Sequence, residues 1–311
     1  MQKQRIYILS LLLLIGCQSR NGDRLIPLYE DLSGYHHRVT TQSEEAQAYF
    51  DQGLTLYYGF HHEAAIRSFR QVIALDSNCV MAWWGQAIAS GPNINNPEMD
   101  STAKIAAWET IQQALTHDEG ASPVEQGLIN ALSKRYSWPP PDDRRSLDSA
   151  YADAMRTVYN AFPHDPDVAV LFADALMNLR PWDLWSDEGE ARPETAEVVA
   201  TLEAVLAGVP DHPGANHFYI HTMEASPTPE AALASADLLR DRIPGAGHLV
   251  HMPSHIDIRL GHYNEAVLAN QRGVEADRPW VEQGGFYTLY RAHNHHFLAY
   301  AAMFDGRQQL A

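Results

Sequence analysis

Cysteine is nearly absent: 311 residues carry only Cys17 and Cys79. That leaves no disulfide-built scaffold and weighs against a zinc site made of thiolates. Basic charge is also scarce, with 22 Lys and Arg against 39 Asp and Glu and a net charge of -17. A nucleic-acid binder needs a basic footprint, so none is expected as a partner. No glycine-rich phosphate loop, GxSxG elbow or HExxH stretch occurs, since His61-His62-Glu63 lacks the second histidine. Alternating strand-like text is rare too. A hydrophobic fraction of 45% argues against general disorder. What is present in excess is histidine, with sixteen.

The first residues read as processing information. MQKQR is a short basic start, IYILSLLLLI an apolar stretch, and Gly16-Cys17 follows. An apolar span this short fits a signal peptide better than a transmembrane helix. Leu14-Ile15-Gly16-Cys17 resembles the lipobox of bacterial lipoproteins. The resemblance implies cleavage before Cys17, acylation of that residue and the lipid membrane as a partner. Gln18 stands where the inner-membrane retention signal has Asp, so a periplasm-facing position on the outer membrane is expected. Residues 1–16 are then a lipoprotein signal peptide, 17–42 a tether and N-terminal segment, and 43–311 the folded body.

The body reads as all-α. In residues 45–77, Tyr49, Gly53, Ala65 and Phe69 stand at offsets of 4, 12 and 4. Trp83 follows Tyr49 by 34 residues, and Ala87 follows Gly53 by the same interval. Degenerate copies end at Pro166, Pro213 and Pro244, and a last one holds Ala266 with Asn270 in its aromatic slot. The pattern resembles the tetratricopeptide (TPR) repeat and predicts a superhelical solenoid of antiparallel helix pairs, close-packed where small residues permit. The long linkers 91–100, 136–146 and 182–195 are candidates for shaping a pocket.

Three segments carry the unusual chemistry. ANHFYIHTMEAS places His217, His221 and Glu224 at i, i+4 and i+7 on one helical stripe. GAGHLVHMPSHIDIRLGHY holds His248, His251 and His255 at i, i+3 and i+7. YRAHNHHFLAY puts His293 and His296 on a common face. On neighbouring helices of a solenoid these stripes converge, and neutral imidazoles favour zinc, iron or copper, with Glu224 a harder oxygen ligand. Pro253 leaves two geometries open. Either one kinked helix carries three ligands, or a loop delivers two to a helix that holds one. Arg259, Arg291, Tyr219 and Trp182 are candidates for binding a substrate; the arginines could instead pair with nearby acids.

The blocks GFHHEAAIRSF, NHFYIHTMEAS, PGAGHLVHMPSHIDIRLGHYNEAVLANQ and YRAHNHHFLAYAAMFDGR together resemble a bacterial family of TPR-containing proteins. The resemblance implies the superhelical fold but no settled reaction. Family members continue further, so either the chain is cut short or a partner or second copy completes the array by covering its last helix. Two readings remain: a lipid-anchored protein with a His/Glu metal pocket, enzymatic or not, or a non-catalytic interaction scaffold whose histidines are structural.

Overall fold

The structure is a computed structural model that describes residues 24–32 and 34–311, so Cys17 and the expected signal peptide lie outside the described residues. Among these residues regular structure is helical, apart from two isolated bridges, as the all-α expectation requires. The first helices are α1 (Glu44–Tyr58), α2 (His62–Leu75), α3 (Val80–Ala89), α4 (Ser101–Thr116) and α5 (Pro123–Leu132). Then come α6 (Arg145–Ala161), α7 (Pro166–Met177), α8 (Thr195–Gly208), α9 (Pro213–Met223) and α10 (Leu233–Arg242). The last are α11 (Gly247–His251), α12 (Pro253–Leu260), α13 (Tyr263–Ala276) and α14 (Tyr287–Phe304). None of them is long and apolar enough to cross a membrane.

Local chemistry explains the helix starts. Ser43 caps α1 by accepting from the Ala46 amide, and Ser122 with Glu125 forms a reciprocal capping box on α5. Pro166 and Pro213, read above as ends of repeat units, open α7 and α9, where a missing amide hydrogen costs nothing.

Consecutive helices pack on each other through most of the chain. The small-residue positions do what close packing needs. The Phe69 ring is wedged between α1 and α3, and a Cβ on Gly53 or Gly85 would lie 2.7 or 2.6 Å from it. Helices distant in sequence also meet, with α1 against α9 and α11 against α14. The connection between α1 and α2 is thereby drawn inside. Phe60 in that connection adopts φ 56°, a left-handed backbone that a bulky residue keeps only when its surroundings hold it.

The segment expected to be a tether is packed on the body from Arg24 onward. Ile26, Leu32 and Val39 are buried. The amides of Leu25 and Tyr29 donate to the side-chain oxygens of Gln71 and Gln52, both at 2.8 Å. Apolar side chains and satisfied amides give this stretch the same reasons to stay folded as the helices have. At the other end, Leu289, Tyr300, Met303 and Phe304 on α14 are exposed.

Candidate metal centre

Helix α9 is buried along its whole length, so its histidines have no solvent face to occupy. His217 and His221 lie one turn apart, and Glu224 caps the C-terminus. The Pro253 question resolves to the kinked helix. Met252 between α11 and α12 keeps helical angles of φ −51° and ψ −36°, and its amide donates to the His248 carbonyl at 3.1 Å. The bond that Pro253 cannot donate is lost and the His255 amide turns to the Met252 carbonyl at 3.1 Å, yet the path continues and His248, His251 and His255 stay on one side.

The rings assemble into two groups of three. In each, one nitrogen per ring lies within 4.8 Å of the other two; the groups are His217, His221 and His248, then His251, His255 and His293. All but His293, which is half-buried on α14, are buried. Across the groups the His221 and His255 ring centres are 5.5 Å apart and those of His248 and His251 are 5.6 Å apart. Glu224 joins them, with Oε1 2.7 Å from His221 Nδ1 and Oε2 2.6 Å from His255 Nδ1.

The hydrogen-bond partners fix where the ring protons sit. Asn270 Nδ2 donates to the Ala266 carbonyl at 2.7 Å, which turns its oxygen toward His251 Nδ1, also at 2.7 Å. His251 must therefore carry its hydrogen on Nδ1. A carboxylate only accepts, so His255 and His221 carry theirs on Nδ1 as well. The carbonyl of Tyr58, 2.6 Å away, sets His217 the same way. In their neutral forms these four rings present a bare Nε2. Those of His251 and His255 face each other at 2.9 Å. His217 Nε2 lies 3.2 Å from His248 Nε2, and His221 Nε2 and His248 Nδ1 are buried without a partner among the described residues.

Two neutral rings in this arrangement would oppose their lone pairs, and a cation between them, a proton or a metal ion, removes the conflict. Metal–imidazole bonds of about 2.0–2.1 Å place two ligands of one ion roughly 3 Å apart, as these nitrogens are. The Nδ1 partners have the form of an outer shell that orients metal-bound imidazoles. The donor set therefore fits a transition ion with a taste for nitrogen.

Burial disfavours protonation of five of these six rings. Burial, reinforced by neighbouring imidazoles, holds His217, His248 and His251 well below the ordinary imidazole value. Burial and the His255 ring bring His293 down to about 4. His221 is lowered by burial, against the pull of Glu224. Burial works against the charge of Glu224, but His255 and His221 outweigh it and keep the carboxyl ionised well below its usual range.

A cavity of about 270 Å³ opens on the centre, lined by His221, His255 and His293 together with Trp182, Phe286 and Tyr290. Trp182 presents its ring edge-on to His221 at 5.3 Å, and Trp185 pins the same linker to α9 by donating to the Thr222 carbonyl at 2.7 Å. The long 182–195 linker thus does shape a pocket.

The other expected site residues lie elsewhere. His296 is exposed and joins neither group, because α14 turns Tyr290 and Asn294 inward and carries position 296 round to solvent. Tyr219 ties α9 to α8 by donating to Glu203 at 2.7 Å. Arg259 is exposed, with its nearest acceptor the Ser226 carbonyl, and Arg291 reaches the Val281 carbonyl. Neither arginine lines the cavity.

Residues not singled out as site residues in the sequence include Asn270, the Tyr58 carbonyl and Phe60, whose ring centre is 4.6 Å from that of His217. Asn270 did leave a signal, since it breaks the aromatic slot of its repeat. Comparison with known proteins finds no family model and no curated sequence that matches the chain.

Proposed function

We propose that this protein binds a transition metal, zinc, iron or copper, through the histidines of α9, α11, α12 and α14. One observation carries the proposal: His251 and His255 direct Nε2 atoms at each other across 2.9 Å while their Nδ1 atoms face Asn270 and Glu224. An ion held by three imidazoles retains open coordination positions, and when bound it supplies Lewis acidity or redox chemistry to a ligand beside it. The adjoining cavity supports a ligand-accessible, enzymatic centre over a sealed structural one. We further propose that the helices form a TPR-like superhelix, and that an acylated Cys17 holds the protein on the periplasmic side of the outer membrane. The exposed apolar side chains of α14 favour a second reading, in which the array is an interaction scaffold and the histidines only pack.

Elemental analysis of protein purified without a histidine tag separates the two. The expected result is at least stoichiometric metal, reduced in His221→Ala and in His251→Ala. Metal-free protein whose stability is unchanged in both variants would overturn the metal reading and leave the scaffold.

A further inference from the structure

Resting on that reading, we infer that the centre is dinuclear: one ion on His217, His221 and His248, a second on His251, His255 and His293, with Glu224 coupling the two groups from behind. The number follows from where donors converge. With bonds of about 2.1 Å, all ligands of one ion lie within roughly 4.2 Å of one another. Among the described residues no convergent group of His, Cys, Asp or Glu is larger than three. Six rings therefore cannot serve one ion. They divide into two complete sets of three, and no ring is shared.

Glu224 explains why the sets stand side by side. Its two oxygens take the Nδ1 hydrogens of His221 and His255, one ring from each set, at 2.7 and 2.6 Å. Those lengths are the ones expected for hydrogen bonds to a charged acceptor. This turns both Nε2 atoms away from the carboxylate and toward their own partners. One carboxylate thereby orients a ligand of each ion. A competing arrangement places a single ion directly on Glu224, His221 and His255, which also converge. That ion would need the Nδ1 atoms, which would move the hydrogen of His255 to Nε2, make its contact with His251 a single hydrogen bond and use only two of the six imidazoles.

Both sets reach the same space. His221 from the first and His255 and His293 from the second line the one cavity of about 270 Å³. A small ligand entering past Trp182 meets both ions together. The rest of the lining is Asn95, Phe286, Leu289 and Tyr290, without a charged side chain. This suits a small uncharged ligand better than a carboxylate or a phosphate.

The full chain, stripped of metal, is titrated with Zn(II), and in a separate series loaded with Cu(II) for electron paramagnetic resonance. Two Zn(II) per chain are expected, falling to one in His293→Ala and to one in His248→Ala. The Cu(II) signal of the parent should be broadened or lost through coupling, and each variant should show an ordinary isolated signal. Glu224→Gln should keep both ions with affinity lowered about 10- to 100-fold. His293 is half-buried, so its variant is the safer test of folding, and circular dichroism checks both. One ion per chain in the parent, or loss of all metal in His293→Ala, overturns the dinuclear centre and leaves metal binding standing. Two uncoupled Cu(II) signals overturn the shared centre. Loss of a single ion in Glu224→Gln, with none left, establishes the competing site instead. No metal in any form overturns the function proposed above as well.

Discussion

Two buried networks of histidine and carboxylate lie on either side of Tyr58, and they are built to opposite ends. Around Asp167 every interaction closes. Oδ1 accepts from the Tyr58 hydroxyl at 2.6 Å, and Oδ2 accepts from the Tyr35 hydroxyl and His37 Nδ1, each at 2.6 Å. His212 adds Nε2 at 3.4 Å from Oδ1 while its Nδ1 accepts the Ala215 amide and caps α9. Around Glu224 the carboxylate is equally well served, yet the far sides of the rings are left bare. His37, Asp165 and Asp167 also converge closely enough to hold an ion, but hydrogens already fill the space between donor and acceptor. Composition and burial do not distinguish glue from site here. The proton count does.

The largest difference should appear when each network loses one member in metal-free protein. Asp167→Ala leaves the Tyr58 and Tyr35 hydroxyls and His37 Nδ1 without their acceptor and should cost about 3–5 kcal/mol in urea unfolding. His251→Leu instead removes one of two opposed lone pairs and puts an apolar group of similar size in its place. Because the buried Asn270 oxygen also loses its donor, the loss should be about 1–3 kcal/mol, below that of Asp167→Ala. Zinc reverses the order. At a thousand times its Kd it should add about 4 kcal/mol per site to the parent, and the share owed to the second group should vanish in His251→Leu. Equal losses in the two metal-free variants would erase the distinction.

The networks should also answer pH with opposite signs. His293 is held at about 4, and His217, His248 and His251 well below the ordinary value of 6.5. Between those values the unfolded rings bind more protons, so this contribution is complete above about 6.5 and is lost as pH falls toward 4. His37 runs the other way. Burial opposes its charge, but Asp167 overrides burial and raises it to about 9. Its contribution is complete below about 6.5 and disappears as pH rises through 9. Urea midpoints at pH 5, 7 and 9 should show both arms, with the alkaline arm missing in His37→Gln and the acid arm reduced in His251→Leu. An alkaline arm that survives in His37→Gln would mean the ion pair does not drive it.

Much of the second network and of the site's outer shell was beyond sequence reading, for identifiable reasons. Helical stripes were legible because their period is local, and α9 and α11 delivered His217, His221, His248 and His251 as the spacing implied. His296 shows the limit of the same argument. Sharing a face with His293 does not say which side of α14 turns inward, and packing against α11 and α13 chose the side of Tyr290 and Asn294. His37, Asp167 and His212 come from the N-terminal segment, the first turn of α7 and the cap of α9, and only the tertiary path brings them within reach of one another. A backbone carbonyl such as that of Tyr58 carries no residue-type signal at all. Asn270 was visible only as a departure from its repeat, which makes departures in otherwise regular slots worth reading as chemistry.

Asn270 provides a finer test than either carboxylate. Asn270→Leu keeps volume but frees His251 Nδ1 from its acceptor, so the ring no longer has a fixed tautomer or orientation. Metal affinity at the second group should fall about 10- to 100-fold, with the first group unaffected. Titration followed by competition with a chelator would measure it. An unchanged affinity would show that the amide merely packs.

The smallest expected change probes the seam itself. Tyr58 donates its hydroxyl to Asp167 and accepts from His217 with its carbonyl, both at 2.6 Å, so one residue belongs to both networks through different atoms. Tyr58→Phe removes only the first bond. His37, Tyr35 and His212 still serve Asp167, so the loss should stay near 1.5 kcal/mol, at the low end for a bond to a charged acceptor. The carbonyl remains, fixed at the end of α1 and held over α9 by the ring packing against Gly214. His217 should therefore keep its tautomer, and metal content and affinity should match the parent. If metal is lost along with that stability, the two networks are a single cooperative unit, and the Asp167 side is part of the site rather than the frame that positions it.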